Sequence, residues 1–244
     1  MTVQIVEVLR RSEQGITLPF ICRGEDGEIY FVKGRSAGRR SQICEWIAGK
    51  LALTFGLPMA PFCLVDVPDE LVEADGTRTL RDLGAGLAFG SQWQEAMELT
   101  VSAIWEIPEE IQQDVLAFDW WIHNGDRLLT DQGGNPNLLW RPASRELVVI
   151  DHNQAFDPDF DPENFLDRHV FAAQRHLLFG DRLKRHDYNA RFSAALADWS
   201  KICAAIPEAW LFVDPEMTVS VDFDLDMAYL LLQRHEHDDF WTTP

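Results

Sequence analysis

Cysteine is scarce in this 244-residue chain, and no long hydrophobic run is present. The four cysteines, at positions 22, 44, 63 and 203, form no C-x-x-C pair, so we expect a reduced cytoplasmic setting with cysteines as small core residues. No segment has the length and apolar character of a membrane span, and Met1–Arg10 lacks the apolar core of a signal peptide. We therefore expect no membrane partner.

Positive charge is also in short supply. Lys and Arg number 21 against 40 Asp and Glu, which gives a formal net charge of −19. Nucleic-acid binding needs clustered basic residues that neutralise phosphates, so this composition argues against nucleic acid as a partner. One local basic cluster, Lys33–Arg35 with Arg39 and Arg40, could face phosphates or receive a phosphorylated side chain, or it could be a solvated helix start.

Three acid or amide side chains follow one another in a fixed order within residues 123–151: Asp126, Asn137 and Asp151. The segments Leu138–Trp140 and Leu147–Ile150 have strand composition and are joined by a turn-like tetrapeptide, so a hairpin is predicted. Such a hairpin places Asn137 and Asp151 at the same end, where they could share a cation. This pattern suits phosphoryl transfer, with the first Asp orienting a hydroxyl and the other two residues holding Mg²⁺.

A matching feature lies near the N-terminus. Glu28–Lys33 is predicted as a strand that ends in a lysine, and the following segment Gly38–Phe55 has apolar residues at helical spacing. Glu45 lies on another stripe of that helix. A strand lysine paired with a helix glutamate is the arrangement by which kinases hold nucleotide phosphates.

The order of these motifs resembles the HipA-like kinases, bacterial relatives of the Ser/Thr protein kinases whose catalytic loop is similar to that of phosphoinositide kinases. The motifs that carry the resemblance are Tyr30–Lys33, Glu45–Ala48, Asn124–Arg127, Asn135–Leu139 and Val149–His152.

The resemblance implies a role for each matching residue. Lys33 would bind ATP phosphates, Glu45 would position Lys33, and Asp126 would be the catalytic aspartate. Asn137 and Asp151 would bind Mg²⁺. The gap between Asp126 and the metal-binding asparagine is longer than in many members of the family, so Asn135 competes with Asn137 for this role. Asn137 is favoured because Leu138 and Leu139 follow it directly, as the start of a strand requires.

The fold implied is α+β, with a two-lobed protein-kinase-like arrangement: a small β-rich lobe with one helix at 1–87 and a larger, mainly helical lobe at 88–244. Strands are predicted at Val3–Leu9, Ile16–Cys22, Ile29–Lys33 and Phe62–Val67. Residues 68–86 are predicted as a mobile or insert-like segment. The apolar stretch Leu87–Ser91 would connect the lobes and contact the adenine, through Phe89, Gly90 and Ser91.

The loop between the first two strands is the candidate phosphate cover, with Ser12 and Gly15 as its contacts, although it has one glycine rather than three. In the larger lobe, a helix that starts at Pro108 would deliver the turn Asn124–Arg127. Further helices are predicted at 163–178, 187–205 and 223–238. The acidic loop 157–162 could bind a second cation, but a surface loop is the favoured interpretation.

The function predicted by this resemblance is ATP- and Mg²⁺-dependent transfer of the γ-phosphoryl group to a protein Ser or Thr, of toxin type or as autophosphorylation. A kinase of small-molecule or lipid hydroxyls is one alternative, because the same residues serve any hydroxyl acceptor. A nucleotide-binding pseudokinase that acts as an interaction module is the other. The intact set Lys33, Asp126, Asn137 and Asp151 argues against the pseudokinase.

Overall fold

The computed structural model of the chain describes residues 2–13, 18–75 and 79–242. Helices form 44% and strands 23% of it, so the expected α+β class is confirmed. The strands are β1 (Thr2–Arg11), β2 (Phe20–Gly24), β3 (Ile29–Lys33), β4 (Phe62–Val67), β5 (Gly86–Gln92), β6 (Met97–Glu98), β7 (Leu128–Thr130), β8 (Gly133–Asn135), β9 (Leu138–Arg141) and β10 (Glu146–Val149). The α-helices are α1 (Arg39–Phe55), α2 (Asp69–Glu73), α3 (Glu109–Trp121), α4 (Pro162–Arg168), α5 (Arg175–Gly180), α6 (Arg182–Leu196), α7 (Trp199–Ala204) and α8 (Leu225–Gln233). None of the helices in these ranges combines the length and hydropathy needed to cross a bilayer.

The chain forms two compact units. The barrel unit consists of Met1–Trp46, Ala60–Gln94 and Ile206–Phe223, and the helical unit consists of Ile47–Met59, Glu95–Ala205 and Asp224–Pro244. This division differs from the expected lobes 1–87 and 88–244 because β5 continues to Gln92 and a late segment, 206–223, joins the barrel unit. In that segment the indole nitrogen of Trp210 donates a hydrogen bond of 2.9 Å to the carbonyl of Leu87.

The barrel unit contains a closed barrel in the order β1-β2-β3-β5-β4, completed by parallel pairing of β4 with β1. Strands β3 and β4 have the predicted bounds. Alternating residues of β3, including Tyr30 and Val32, are buried in the barrel core, as period-two patterning requires. Lys33 is the last residue of β3, so the pairing of β3 with β5 fixes the position of the Lys33 backbone.

Residues 68–86 carry more regular structure than expected. They contain α2 and a 3₁₀ turn at 79–81, and Leu83 is buried in the barrel core. The stretch Leu87–Ser91, predicted as a connection between lobes, is instead part of β5, which pairs with β3 on one side and β4 on the other. Glycine at position 90 permits this packing, because a Cβ there would lie 2.5 Å from Val65 Cγ1.

In the helical unit, α3 is buried along much of its length. Trp121 on this helix stacks on Phe192 of α6 with ring centroids 4.5 Å apart. Three helices, α4, α6 and α8, begin at aspartates whose side chains accept backbone N–H groups of the first turn: Asp161, Asp181 and Asp224. Asp161 of the acidic loop is therefore a helix cap.

The predicted helices of the second half exist, but two of them are interrupted. The range 163–178 is split into α4, a 3₁₀ turn at 172–174 and α5, because the backbone leaves the helix at His169, whose ψ is 140°. The range 187–205 is split into α6 and α7, and the range 223–238 contains α8 followed by 3₁₀ turns.

Candidate functional site

In the barrel unit, Lys33 at the end of β3 and Glu45 on α1 form a buried ion pair. The ammonium of Lys33 donates to Glu45 Oε1, and the two residues are 6% and 2% exposed. The buried amide of Gln42, less than one turn before Glu45, donates to the carbonyl of Lys33 at 2.5 Å. Helix α1 therefore contacts the end of β3 through two side chains, Glu45 and Gln42, which hold the lysine amine in position relative to the helix.

In the helical unit, the predicted hairpin is formed by β9 and β10. Leu138 is paired with Val149, and beyond this pair the backbone N–H of Ile150 donates to the carbonyl of Asn137 at 3.1 Å. Asn137 and Asp151 therefore flank the same end of the hairpin. Both have positive φ angles, 50° and 56°, a conformation that asparagine and aspartate adopt more readily than most residues.

Asp126 lies on the turn that follows α3, and the structure brings it to Asn137. The side-chain amide of Asn137 donates a hydrogen bond of 3.1 Å to Asp126 Oδ2. The amide nitrogen carries only N–H donors, one of which bonds Asp126, so the amide oxygen is the atom of Asn137 that can bind a cation.

The long gap between Asp126 and Asn137 is a second, smaller hairpin. Strands β7 and β8 pair antiparallel, with Leu128 opposite Asn135. This pairing brings the chain back close to the turn that carries Asp126. Asn135 is exposed and is part of that ladder, whereas Asn137 is buried beside Asp126. The geometry thus favours Asn137 over Asn135 as the partner of Asp151.

The donor set at this end of the hairpin is an amide oxygen and a carboxylate, which are hard oxygen ligands of the kind that Mg²⁺ prefers. In the part of the chain that the structure describes, no three His, Cys, Asp or Glu residues are grouped as a metal site would require. Asn137 and Asp151 do not form such a group, because asparagine is not one of these residue types and only one carboxylate is present. In kinases, nucleotide phosphates commonly complete the coordination of Mg²⁺. The chemistry of these residues fits the metal.

Sequence reasoning named Arg127 within its motif but gave it no role. Its guanidinium is fully buried, and Nη1 donates to the carbonyl oxygens of Asn137 at 2.6 Å and Ile150 at 3.2 Å. Nε donates to Asp119 Oδ2 at 2.6 Å. The position of Arg127 directly after the candidate catalytic aspartate is the sequence feature that could have indicated a role for it. No feature of the local sequence indicates that Asp119 is the partner of Arg127.

The charge of Asp119 is held in place by its partners. Burial alone would raise the pKa of this carboxyl, but the positive charge of Arg127 and the hydrogen bond of His169 outweigh it and keep the pKa below its ordinary value. At the start of the Asn124–Arg127 turn, burial and then the charge of Arg234 lower the pKa of His123 to about 3. His123 stacks on Phe160 with ring centroids 4.2 Å apart.

The remaining candidates are less well placed. The backbone N–H of Ser12 donates to Pro19 at 2.8 Å, which closes the base of the connection between β1 and β2, and Gly15 lies outside the described residues. Phe89, Gly90 and Ser91 are paired inside β5 with strands on both sides. Because the backbone of an interior strand is used by its neighbours, this placement does not favour adenine contact through these residues.

Comparison with family models supports the kinase interpretation. A family model described as HipA-like kinase matches residues 5–244. Among solved structures, a Helicobacter pylori proinflammatory kinase, CtkA, is similar over 97% of this chain and 94% of its own, with a TM-score of 0.52 and 11% identity. The open conformation of CtTel1 aligns with 93% of this chain and 11% of its own at a TM-score of 0.31 and 15% identity. No match was found among curated proteins.

Proposed function

The chain belongs to the HipA-like kinase family, and we propose that it is an active kinase that transfers the γ-phosphoryl group of ATP, with Mg²⁺, to a Ser or Thr hydroxyl of a protein. The observation that carries this proposal is the hydrogen bond between Asn137 and Asp126, at the end of the hairpin that also presents Asp151.

The proposal gives each residue a separate task. Lys33, held by Glu45, would bind phosphate oxygens of ATP as a fixed positive charge. Asp126 would orient the acceptor hydroxyl and accept its proton as the hydroxyl oxygen bonds the γ-phosphorus and the bond from the γ-phosphorus to the bridging oxygen breaks, so that ADP leaves. Asn137 keeps the Asp126 carboxylate in one orientation through its amide. Mg²⁺, held by Asn137 and Asp151, would supply positive charge against the phosphate oxygens.

The proposal also covers the arrangement of the lobes, the cellular compartment and the class of partner. The barrel unit would be the smaller lobe of a two-lobed kinase, and the helical unit would be the larger, catalytic lobe. A cytoplasmic setting is supported by the four cysteines, all of which lie in the described residues and none of which forms a disulfide. The acidic composition supports a partner other than nucleic acid.

The acceptor can be identified directly. Purified protein is incubated with γ-labelled ATP and Mg²⁺, alone and with cell extract, and phosphorylated species are located by mass spectrometry. The expected result is phosphate on Ser or Thr of an extract protein or of the chain itself. Label confined to a small molecule or lipid would replace the protein acceptor. Binding of Mg-ATP without transfer to any acceptor would identify a pseudokinase.

A further inference from the structure

Asp119 is the centre of a hydrogen-bonded cluster that lies entirely inside the helical unit. Its carboxylate accepts from Arg127 Nε at 2.6 Å, from His169 Nε2 at 3.0 Å and from the side-chain amide of Asn124 at 2.8 Å. Its backbone carbonyl accepts from the N–H of Asn124 at 2.9 Å. All of these residues are at most 2% exposed, so the cluster is shielded from water.

Arg127 links the turn on which it lies to two other stretches of backbone. Besides bonding Asp119, its guanidinium donates to the carbonyl oxygens of residues 136, 137 and 150 and to His152 Nε2 at 3.2 Å. One side chain therefore joins the turn that carries Asp126, the segment that carries Asn137 and the strand end that precedes Asp151.

His169 bonds the same carboxylate oxygen of Asp119, Oδ2, as Arg127 does, and the tautomer of the histidine follows from its partners. Its Nδ1 accepts from the backbone N–H of Phe171 at 3.1 Å, so in the neutral ring the hydrogen is on Nε2 and is donated to Asp119. The next residue, Val170, donates its N–H to the carbonyl of Arg127 at 3.0 Å. The chain leaves helix α4 at the point where these bonds form.

His152 adds one more contact to Arg127, because its Nε2 lies 3.2 Å from Nη2 of the guanidinium. The guanidinium of Arg127 and the carboxylate of Asp119 form a fully buried ion pair. His169 orients the carboxylate of this pair through its Nε2.

We propose that Asp119 and His169 are positioning residues for phosphoryl transfer, which act through Arg127 to hold Asp126, Asn137 and Asp151 in register. The inference rests on the proposed function, and it extends the machinery to two residues that touch neither nucleotide nor acceptor. His169 is the position to test, because its removal leaves both members of the Asp119–Arg127 ion pair in the chain. Without His169, the Asp119 carboxylate can move, and with it Arg127 and the three residues that Arg127 holds. Small misplacements of reacting groups lower the rate of the chemical step.

The test compares three His169 variants with a matched control. His169→Leu removes the donor. His169→Gln restores one, because the glutamine amide reaches about as far as the ring Nε2. His169→Asn offers a shorter polar side chain if the leucine variant fails to fold. His235→Leu is the control: this histidine is also buried in the helical unit, 1% exposed, and bonds Ser193 and the carbonyl of Leu232, outside the cluster. Transfer is followed as kcat and as the KM for ATP.

We expect His169→Leu, or His169→Asn in its place, to lower kcat by about tenfold or more with KM for ATP within about twofold of the parent. His169→Gln should regain most of kcat, and folded His235→Leu should keep it. Hydrogen exchange of peptides covering 124–137 should quicken in His169→Leu or His169→Asn and stay at the parent rate in His235→Leu. Parent-like kcat in both His169→Leu and His169→Asn, or an equal loss of kcat in His235→Leu, would overturn the positioning role while leaving the kinase assignment intact. Parent protein that transfers no phosphate would overturn both.

Discussion

The side-chain amide of Asn137 is hydrogen-bonded to the carboxylate of Asp126 at 3.1 Å, across an 11-residue separation in sequence. The chain achieves this contact by folding the intervening residues into the β7–β8 hairpin. One amide thus has its nitrogen on the candidate catalytic aspartate and its oxygen left for a cation. This shared residue explains how proton acceptance and metal binding would stay aligned in a kinase.

The metal assignment predicts how ligand stabilisation depends on Mg²⁺. ATP with Mg²⁺ at 100 times its Kd should stabilise the parent by about 2.7 kcal/mol, and thermal unfolding with and without Mg²⁺ measures the difference. Asp151→Asn should lose the Mg²⁺-dependent part, and Asn137→Ala should behave in the same way. Asn135→Ala is the control and should match the parent. A parent-like response of Asp151→Asn, or loss in Asn135→Ala alone, would contradict the assignment.

The buried Lys33–Glu45 pair predicts that variants of these two residues change the free energy of unfolding and the binding of ATP independently. Lys33→Met leaves the Glu45 carboxylate buried without its ammonium, which should cost about 3–5 kcal/mol of the free energy of unfolding in urea. The double variant Lys33→Met with Glu45→Leu should recover most of this loss, since an apolar pair can replace a buried ion pair, yet it should not bind ATP. Lys201→Met, at an exposed ion pair with Asp198, should cost at most about 1 kcal/mol. Nucleotide binding retained in the double variant would remove Lys33 from the phosphate site.

The environment of His123 predicts a loss of stability in mild acid. Its pKa is about 3 in the folded chain, below the ordinary 6.5. Between these values the unfolded chain binds a proton that the folded chain does not, so stability falls as pH drops below 6.5, by at most about 1.4 kcal/mol per pH unit. His123→Gln should flatten the dependence of the unfolding free energy between pH 6.5 and 5. Equal slopes in parent and His123→Gln would refute the prediction.

Much of the barrel and the hairpin could be predicted because their signals are local. Strands β3 and β4 have apolar alternation bounded by turn residues, and β9 and β10 are joined by a short turn. Strand β5 was missed because Gly86, Ala88 and Gly90 give it little strand propensity. Its small residues are needed for close packing, as the approach of Val65 to position 90 shows, and this is a tertiary requirement that no local pattern reveals.

The cluster around Asp119 was missed for a related reason. Asp119 lies on an amphipathic helix where an acid is ordinarily solvated, and its partner His169 follows 50 residues later in a helical pattern that has no break in composition. The break in the backbone at His169 exists because the ring bonds Asp119 and the neighbouring amide bonds Arg127. Such pairing depends on the complete fold of the helical unit.

The role of Asp126 in the chemistry is tested most directly by phosphoryl transfer in Asp126→Asn, measured beside calorimetric ATP binding. If Asp126 accepts the hydroxyl proton, kcat should fall by about 10²–10⁴ while the Kd for Mg-ATP stays within about twofold, because the interaction is made mainly in the transition state. Equal kcat in Asp126→Asn and parent would show that Asp126 is only a turn residue and takes no part in the transfer.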